Sequence, residues 1–160
     1  MPLTFRSARR DDVPAIVEIY ARAHVELLHA PSAQQLDEWI RDERSGTFVV
    51  ESDGRIDGFA FAISHDGWLV EIAQIVAREP GAGIGWFALR EAVRHAFETS
   101  RAHRVYVEVV ASNARARRLA LGAGFALEGT WRDGYRREDG TYADLCAYGL
   151  LESDRRTGAA

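Results

Sequence analysis

One stretch constrains this chain more than any other. A β-rich apolar run, Val70-Glu71-Ile72-Ala73-Gln74-Ile75-Val76-Ala77, passes through Arg78-Glu79-Pro80-Gly81-Ala82-Gly83-Ile84-Gly85 into Trp86-Phe87-Ala88-Leu89, where a helical repeat begins. A strand that enters a helix through three alternating glycines exposes unpaired N–H groups at the positive end of the helix dipole. No Cβ atoms hold an anion away. Such a turn suits a phosphate, although glycines also shape turns that bind nothing. The helix is expected from about Ile84 to Ser100, with Trp86, Leu89, Val93, Ala96 and Phe97 on one side and Arg90, Glu91, Arg94 and Glu98 largely on the other. It leads to a second β-rich run, Arg104 to Val110, expected to lie parallel to the first.

The rest of the chain supplies partners for that unit. Leu3 to Ser7 alternates as a short strand, and Asp11-Asp12 suits the cap of a helix starting near Val13-Pro14. That helix gathers Val13, Ile16, Val17, Ile19, Tyr20 and Ala23 on one face. Between His24 and Ser45, Leu27, Leu28, Leu36, Trp39 and Ile40 surround Pro31-Ser32, which predicts a helix broken or restarted at the proline. Thr47 to Glu51 and Ile56 to Ser64 flank Ser52-Asp53-Gly54-Arg55 as a hairpin, and His65-Asp66-Gly67 turns into a third run from Trp68. An antiparallel meander therefore precedes the glycine loop. Beyond it, Asn113 caps a helix running to Gly122, Gly124-Phe125 leads to terminal strands through Leu127 and from Tyr142 to Leu151, and Arg155 to Ala160 reads as a frayed tail.

Length bounds the organisation. With 160 residues, 47% of them hydrophobic and 28% charged, one core supports one domain, expected over residues 1–154. A net charge of -4 leaves nucleic acid a poor partner. All 20 basic residues are arginine, which removes lysine Schiff-base chemistry and the lysine-dependent phosphate loop. Cys146 is the sole cysteine, the start of the chain lacks a signal-peptide core, and no apolar run is long enough for a membrane span. A cytoplasmic protein that engages no membrane is expected. His24, His29, His65, His95 and His103 show no metal-ligand spacing, so no metal is expected.

The glycine loop admits two cofactor classes on its residues alone. Gly83-Ile84-Gly85-Trp86-Phe87-Ala88 formally satisfies the dinucleotide fingerprint G-x-G-x-x-G/A, and Glu108 follows about twenty residues later. Against a dinucleotide, five residues separate the strand's last apolar residue from that fingerprint, and an antiparallel meander comes first.

The same residues resemble the GNAT superfamily of N-acetyltransferases, whose signature Q/R-x-x-G-x-G/A sits at this kind of turn. The resemblance covers nearly the whole chain: "FRSARRDDVPAIVEIY", "DGRIDGFAFA", "VEIAQIVAREPGAGIGWFAL" and "VEVVASNARARRLALGAGFALEG", with a C-terminal "GTYADLCAYGLL" similar to the ribosomal-protein alanine N-acetyltransferase branch. It implies an α/β fold with a central mixed, mainly antiparallel sheet flanked by helices. Acetyl-CoA would be co-substrate, held by backbone N–H groups of Gly81, Ala82, Gly83, Ile84, Gly85 and Trp86, by Ala73, Gln74 and Ile75 along the strand, and by Asn113. The signature fits in two registers, one beginning at Arg78 and a preferred one beginning at Pro80. In the second, Pro80 replaces the usual Gln or Arg, and Arg78 is expected to supply charge nearby.

The resemblance further implies transfer of an acetyl group to a primary amine, either a peptide N-terminus or a small molecule. Glu71, a carboxylate within an apolar strand, is the candidate base, with a solvent-facing or ion-paired role as its alternative. Many relatives carry a tyrosine after the leucine of the Asn113 helix, but here Leu119 precedes Ala120, leaving Tyr135, Tyr142, Tyr148 or water to protonate the thiolate. Cys146 reads as a small buried hydrophobe. A non-catalytic acyl-CoA-binding or sensing domain is the alternative that Pro80 and Ala120 motivate, a dinucleotide-binding protein is a remote one, and a homodimer is compatible with the chain.

Overall fold

A computed structural model describes residues 2–23 and 30–157, so His24, Leu27, Leu28 and His29 lie outside the described residues. Seven strands form one sheet: β1 (Thr4–Ser7), β2 (Ser45–Ser52), β3 (Arg55–His65), β4 (Leu69–Ala77), β5 (Arg104–Val110), β6 (Ala126–Arg136) and β7 (Tyr142–Leu151). Their order is β1-β2-β3-β4-β5-β7-β6, with β4 and β5 parallel and the other neighbours antiparallel. The sheet is thus mixed and mainly antiparallel. Helices α1 (Val13–Arg22) and α2 (Ala33–Arg41) cover one face, while α3 (Ile84–Glu98) and α4 (Ala114–Gly122) serve the other, followed by the short α5 (Glu152–Thr157).

Local chemistry accounts for the joints. Asp53 and Gly54 both adopt positive φ, 50° and 74°, as a two-residue hairpin between right-twisted strands requires. Helix α2 begins after Pro31 through a capping box: Gln35 N donates to Ser32 Oγ at 3.2 Å while Ser32 N donates to Gln35 Oε1 at 2.9 Å. On the α1 side Ile16, Ile19, Leu36, Phe59 and Val49 are fully buried, with Trp39 stacked on Phe61 at 3.9 Å. Opposite, Leu89, Val93 and Phe97 pack on Val105, Phe125 and Tyr148.

Several local expectations change in the fold. Asp12 leaves α1 without a side-chain cap; its carboxylate instead accepts from Arg9 N at 2.7 Å and pairs with Arg6 at 2.8 Å. Trp86 remains 38% exposed beside Gly122 of α4, because the face of α3 buried on the sheet runs through Ile84, Ala88 and Leu89. Arg155, expected to begin a frayed tail, lies in α5, where it pairs with Glu98 at 3.1 Å and its guanidinium sits 5.1 Å from the Phe97 ring centre. That contact joins a charge pair to an aromatic face.

Candidate active site

The site originates in a broken strand pair. Parallel pairing of β4 with β5 is confined to Leu69–Glu71 against Arg104–Tyr106, after which the strands part. A register shift on β4 makes Ala73 the extra residue: Ile72 lies opposite Ala62 and Gln74 opposite Phe61. Such a bulge twists the strand locally and turns successive side chains to the same face. Gln74 consequently points toward α1, where its amide oxygen accepts from the Tyr20 hydroxyl, and burial pushes that hydroxyl's pKa upward. Backbone beyond Glu71 is left without a β5 partner. An inner cavity of about 120 Å³ fills the gap, lined by Ile72, Ala73, Gln74 and Ile75 from β4 and by Val107, Glu108, Val109 and Val110 from β5.

This gap opens into an outer cavity of about 820 Å³ that runs along Ile75 to Pro80 and past Gly85. Ile75, Asn113, Ala116 and Leu119 line both volumes, so they form one channel. At its outer end the loop depends on glycine twice: Gly81 has φ 90° and Gly83 φ 79°, and a Cβ at either would meet open space. Backbone handedness, not crowding, selects these glycines. Gly83 caps α3, leaving the N–H groups of its first turn without carbonyl partners inside the helix. Asn113 caps α4, its Oδ1 accepting from Ala116 N at 3.0 Å, while the residue also lines the channel.

Arg78 does not offer its charge to the loop. It is 8% exposed; Nε and Nη2 donate to Ile56 O at 3.2 and 3.1 Å, Nη1 pairs with Glu18 at 3.0 Å, and Nε lies 3.5 Å from Asp57. A guanidinium that satisfies a carbonyl and two carboxylates is a structural tie between β3, α1 and the end of β4. The expectation that it faces the loop fails because two acids behind the sheet claim it.

Beside the inner cavity the sheet carries a polar cluster. Tyr106 OH donates to Glu71 Oε2 at 3.0 Å, and His65 Nε2 lies 3.4 Å from that oxygen and 3.5 Å from the Tyr106 hydroxyl. Desolvation, and then the Glu71 charge, push the Tyr106 pKa well up, which keeps it a proton donor to Glu71. Glu108 titrates above the usual carboxylate range, mainly because it is desolvated and then because Glu71 is a like charge nearby. Two carboxylates thus share the point where the strands part.

Of the residues singled out from sequence, Ala73, Gln74, Ile75, Gly85 and Asn113 line the channel. Gly81, Ala82 and Gly83 are exposed on the adjoining loop, Ile84 is buried beneath it, Trp86 faces α4, and Glu71 lies one residue outside the inner cavity. Glu108, which the sequence does not single out as a candidate base, also lines the inner cavity. Its signal was a carboxylate alternating within "VYVEVV" five residues before Asn113, but only the strand pairing sets it against Glu71. Tyr135, Tyr142 and Tyr148 line neither cavity; Tyr148 is 1% exposed, its hydroxyl accepting from Arg117 Nε at 3.0 Å, and Tyr142 is 56% exposed at the far end of β7. Ala120 lines the inner cavity, and Cys146 is buried with its sulfur 3.8 Å from Thr130 Oγ1. Among the described residues no group of His, Cys, Asp and Glu is arranged to hold a metal, and no helix is long and apolar enough to cross a membrane.

A mixed sheet whose one parallel pair splits beside a glycine loop places the chain among α/β folds with a ligand channel at the split. The family model for the acetyltransferase (GNAT) domain matches residues 2–126, and the chain belongs to that family. Solved structures agree on the fold. The ribosomal-protein-S18-alanine N-acetyltransferase from Escherichia coli superposes with TM-score 0.79 at 24% identity, covering 94% of both chains. The spermidine/spermine N-acetyltransferase SpeG from Vibrio cholerae gives 0.81 at 24% identity over 99% of this chain and 100% of that one. YncA from Salmonella typhimurium, described as a putative acetyltransferase with its cofactor acetyl-CoA, gives 0.80 at 23% identity over 94% of each chain. No curated protein sequence gives a significant match.

Proposed function

We propose that the protein is an acetyl-CoA-dependent N-acetyltransferase acting on a primary amine, a peptide N-terminus or a small molecule. The observation that carries this reading is the continuous channel from the glycine loop into the gap between β4 and β5. Its dimensions and chemistry fit the coenzyme: backbone donors at one end for a pyrophosphate, and a narrow apolar passage along the edge of β4 that faces away from β3 and that β5 leaves open, for the pantetheine arm. Gly81 to Trp86 serve the first, Ala73 to Ile75 the second, and Asn113 adjoins both volumes. The co-substrate supplies an activated acetyl thioester.

The chain's own residues must make the amine neutral and stabilise negative charge on the carbonyl oxygen. The carboxylate pair Glu71 and Glu108 is the base. Glu108, lining the inner cavity with a raised pKa, is better matched to an amine near neutral pH than an ordinary carboxylate. Glu71 is oriented by the Tyr106 hydroxyl and backs Glu108 with its charge. N–H groups of β4 past Glu71, with no β5 partner, are the available oxyanion donors. With Ala120 at the helix position where many relatives carry tyrosine, water protonates the departing thiolate.

The named acceptors of the E. coli and V. cholerae proteins, a protein alanine and spermidine or spermine, support an amine acceptor without choosing between the two kinds. The test is thiol release from acetyl-CoA across a panel of peptides with free N-termini, polyamines and amino-acid derivatives. Release with at least one acceptor, lost in Glu108→Gln, is expected. Heat stabilisation by coenzyme A with no thiol release from any acceptor would replace this reading with the binding-only alternative.

A further inference from the structure

We infer that Arg115 is the side-chain cation that binds the coenzyme's phosphates, in place of the Gln or Arg that this chain lacks at Pro80. The inference rests on the reading of the channel as a coenzyme A site. Proline 80 has no side-chain donor, and Arg78 is committed to Ile56 O, Glu18 and Asp57. A third cation on the outer cavity, Arg22, pairs with Glu18 at 2.8 Å. Among the described residues Glu79 is the one carboxylate on that lining. Arg115 lines the same cavity from α4, is exposed, and has no hydrogen-bond or ion-pair partner among the described residues.

Helix stability does not explain its position. The first turn of α4 holds no acidic residue, and a cation there opposes the helix dipole. Neighbouring Arg117 has a structural use, donating to the Tyr148 hydroxyl at 3.0 Å and to Ala111 O at 3.3 Å; Arg115 has none. A free guanidinium beside a loop whose other donors are neutral N–H groups is suited to a phosphate oxygen, which it meets with two parallel N–H bonds. Its exposed side chain lines the cavity, and the pyrophosphate and the 3′-phosphate present it with the same chemistry.

Calorimetric titration of wild type, Arg115→Ala and Arg115→Lys with coenzyme A, 3′-dephospho-coenzyme A and phosphate-free pantetheine tests this. Arg115→Ala is expected to weaken coenzyme A about tenfold, as for a charge-assisted bond at an exposed site, with pantetheine unchanged and Arg115→Lys intermediate. The salt dependence of coenzyme A binding should also flatten in Arg115→Ala. A loss that persists with dephospho-coenzyme A assigns the contact to the pyrophosphate, and one confined to coenzyme A assigns it to the 3′-phosphate; both uphold the inference. Wild type and Arg115→Ala binding coenzyme A equally, or an equal loss for pantetheine, overturns it while leaving the channel's reading intact. A wild-type chain indifferent to coenzyme A removes both.

Discussion

Gly58→Ala asks whether the glycine loop is held in place by the packing of one isoleucine. Gly58 lies in β3 between Val50 and Ala77, and a Cβ there would sit 2.6 Å from Ile84 Cγ2 and 3.3 Å from Val50 Cβ. The residue's φ is outside the left-handed region, so any cost comes from space alone. Carbon atoms in contact rest about 3.5–4.0 Å apart, which obliges Ile84 to withdraw by roughly 1 Å. Ile84 is the first residue of α3, 7% exposed, directly behind the cap Gly83. Moving it moves the N–H groups proposed to hold pyrophosphate. Overpacking of this kind costs about 1–3 kcal/mol, which in a chain of this length lowers Tm by roughly 3–10 °C. Thermal unfolding should show that loss, and titration should show coenzyme A binding weakened several-fold. Ile84→Ala removes the clashing methyl, so the double variant should lose less stability than the sum of the two single ones. A Gly58→Ala protein with wild-type Tm and wild-type coenzyme affinity would refute the packing argument, since Ile84 would then have another place to go.

Further predictions concern charge and capping. Because the folded state raises the Glu108 pKa above its ordinary 4.5, that carboxyl's contribution to stability is fully present below the unfolded value and is lost as pH rises through the folded one. Glu108→Gln should therefore raise Tm at pH 7, with the gain fading in acid, while lowering kcat about 10²–10⁴-fold. Glu71→Gln removes the like charge beside Glu108, so the acid limb of the pH–rate profile should move to lower pH; an unchanged profile would take Glu71 out of the base pair. Arg78→Ala strips the guanidinium from Ile56 O and Asp57 and should cost about 3 kcal/mol or more in urea unfolding, although Asp57 keeps Arg55 at 2.7 Å. Asn113→Ala loses the cap of α4 and should cost about 1 kcal/mol of stability together with coenzyme affinity, which stability and binding measurements separate.

Much of this fold was legible because its signals are local. Asp53-Gly54 specifies a tight hairpin, Asn113 caps its own helix, Gly81 and Gly83 take backbone angles that few other residues tolerate, and the periodic apolar residues of β4 and α3 name their own elements. Each depends on residues a few positions apart. Helix α2 was less clear, since its boundary rests on Ser32 and Gln35 after Pro31 and its buried face on a single fully buried residue, Leu36.

What tertiary structure alone decided is the direction in which charge points. Sequence placed Arg78 two residues from Pro80 and suggested a phosphate partner; the fold brought Glu18, sixty residues away, and the Ile56 carbonyl to that guanidinium first. Likewise, sequence identified Glu71 as a polar residue in an apolar strand, while the pairing of β4 with β5 supplied Tyr106 and Glu108 and thereby desolvation and a like charge. The sequence by itself determined the elements, their order and the loop that can receive a phosphate. Which arginine is free, and why Glu108 holds its proton more tightly than an ordinary carboxylate, follow from contacts between residues distant in the chain, because charge interactions depend on separation and solvent exclusion in space.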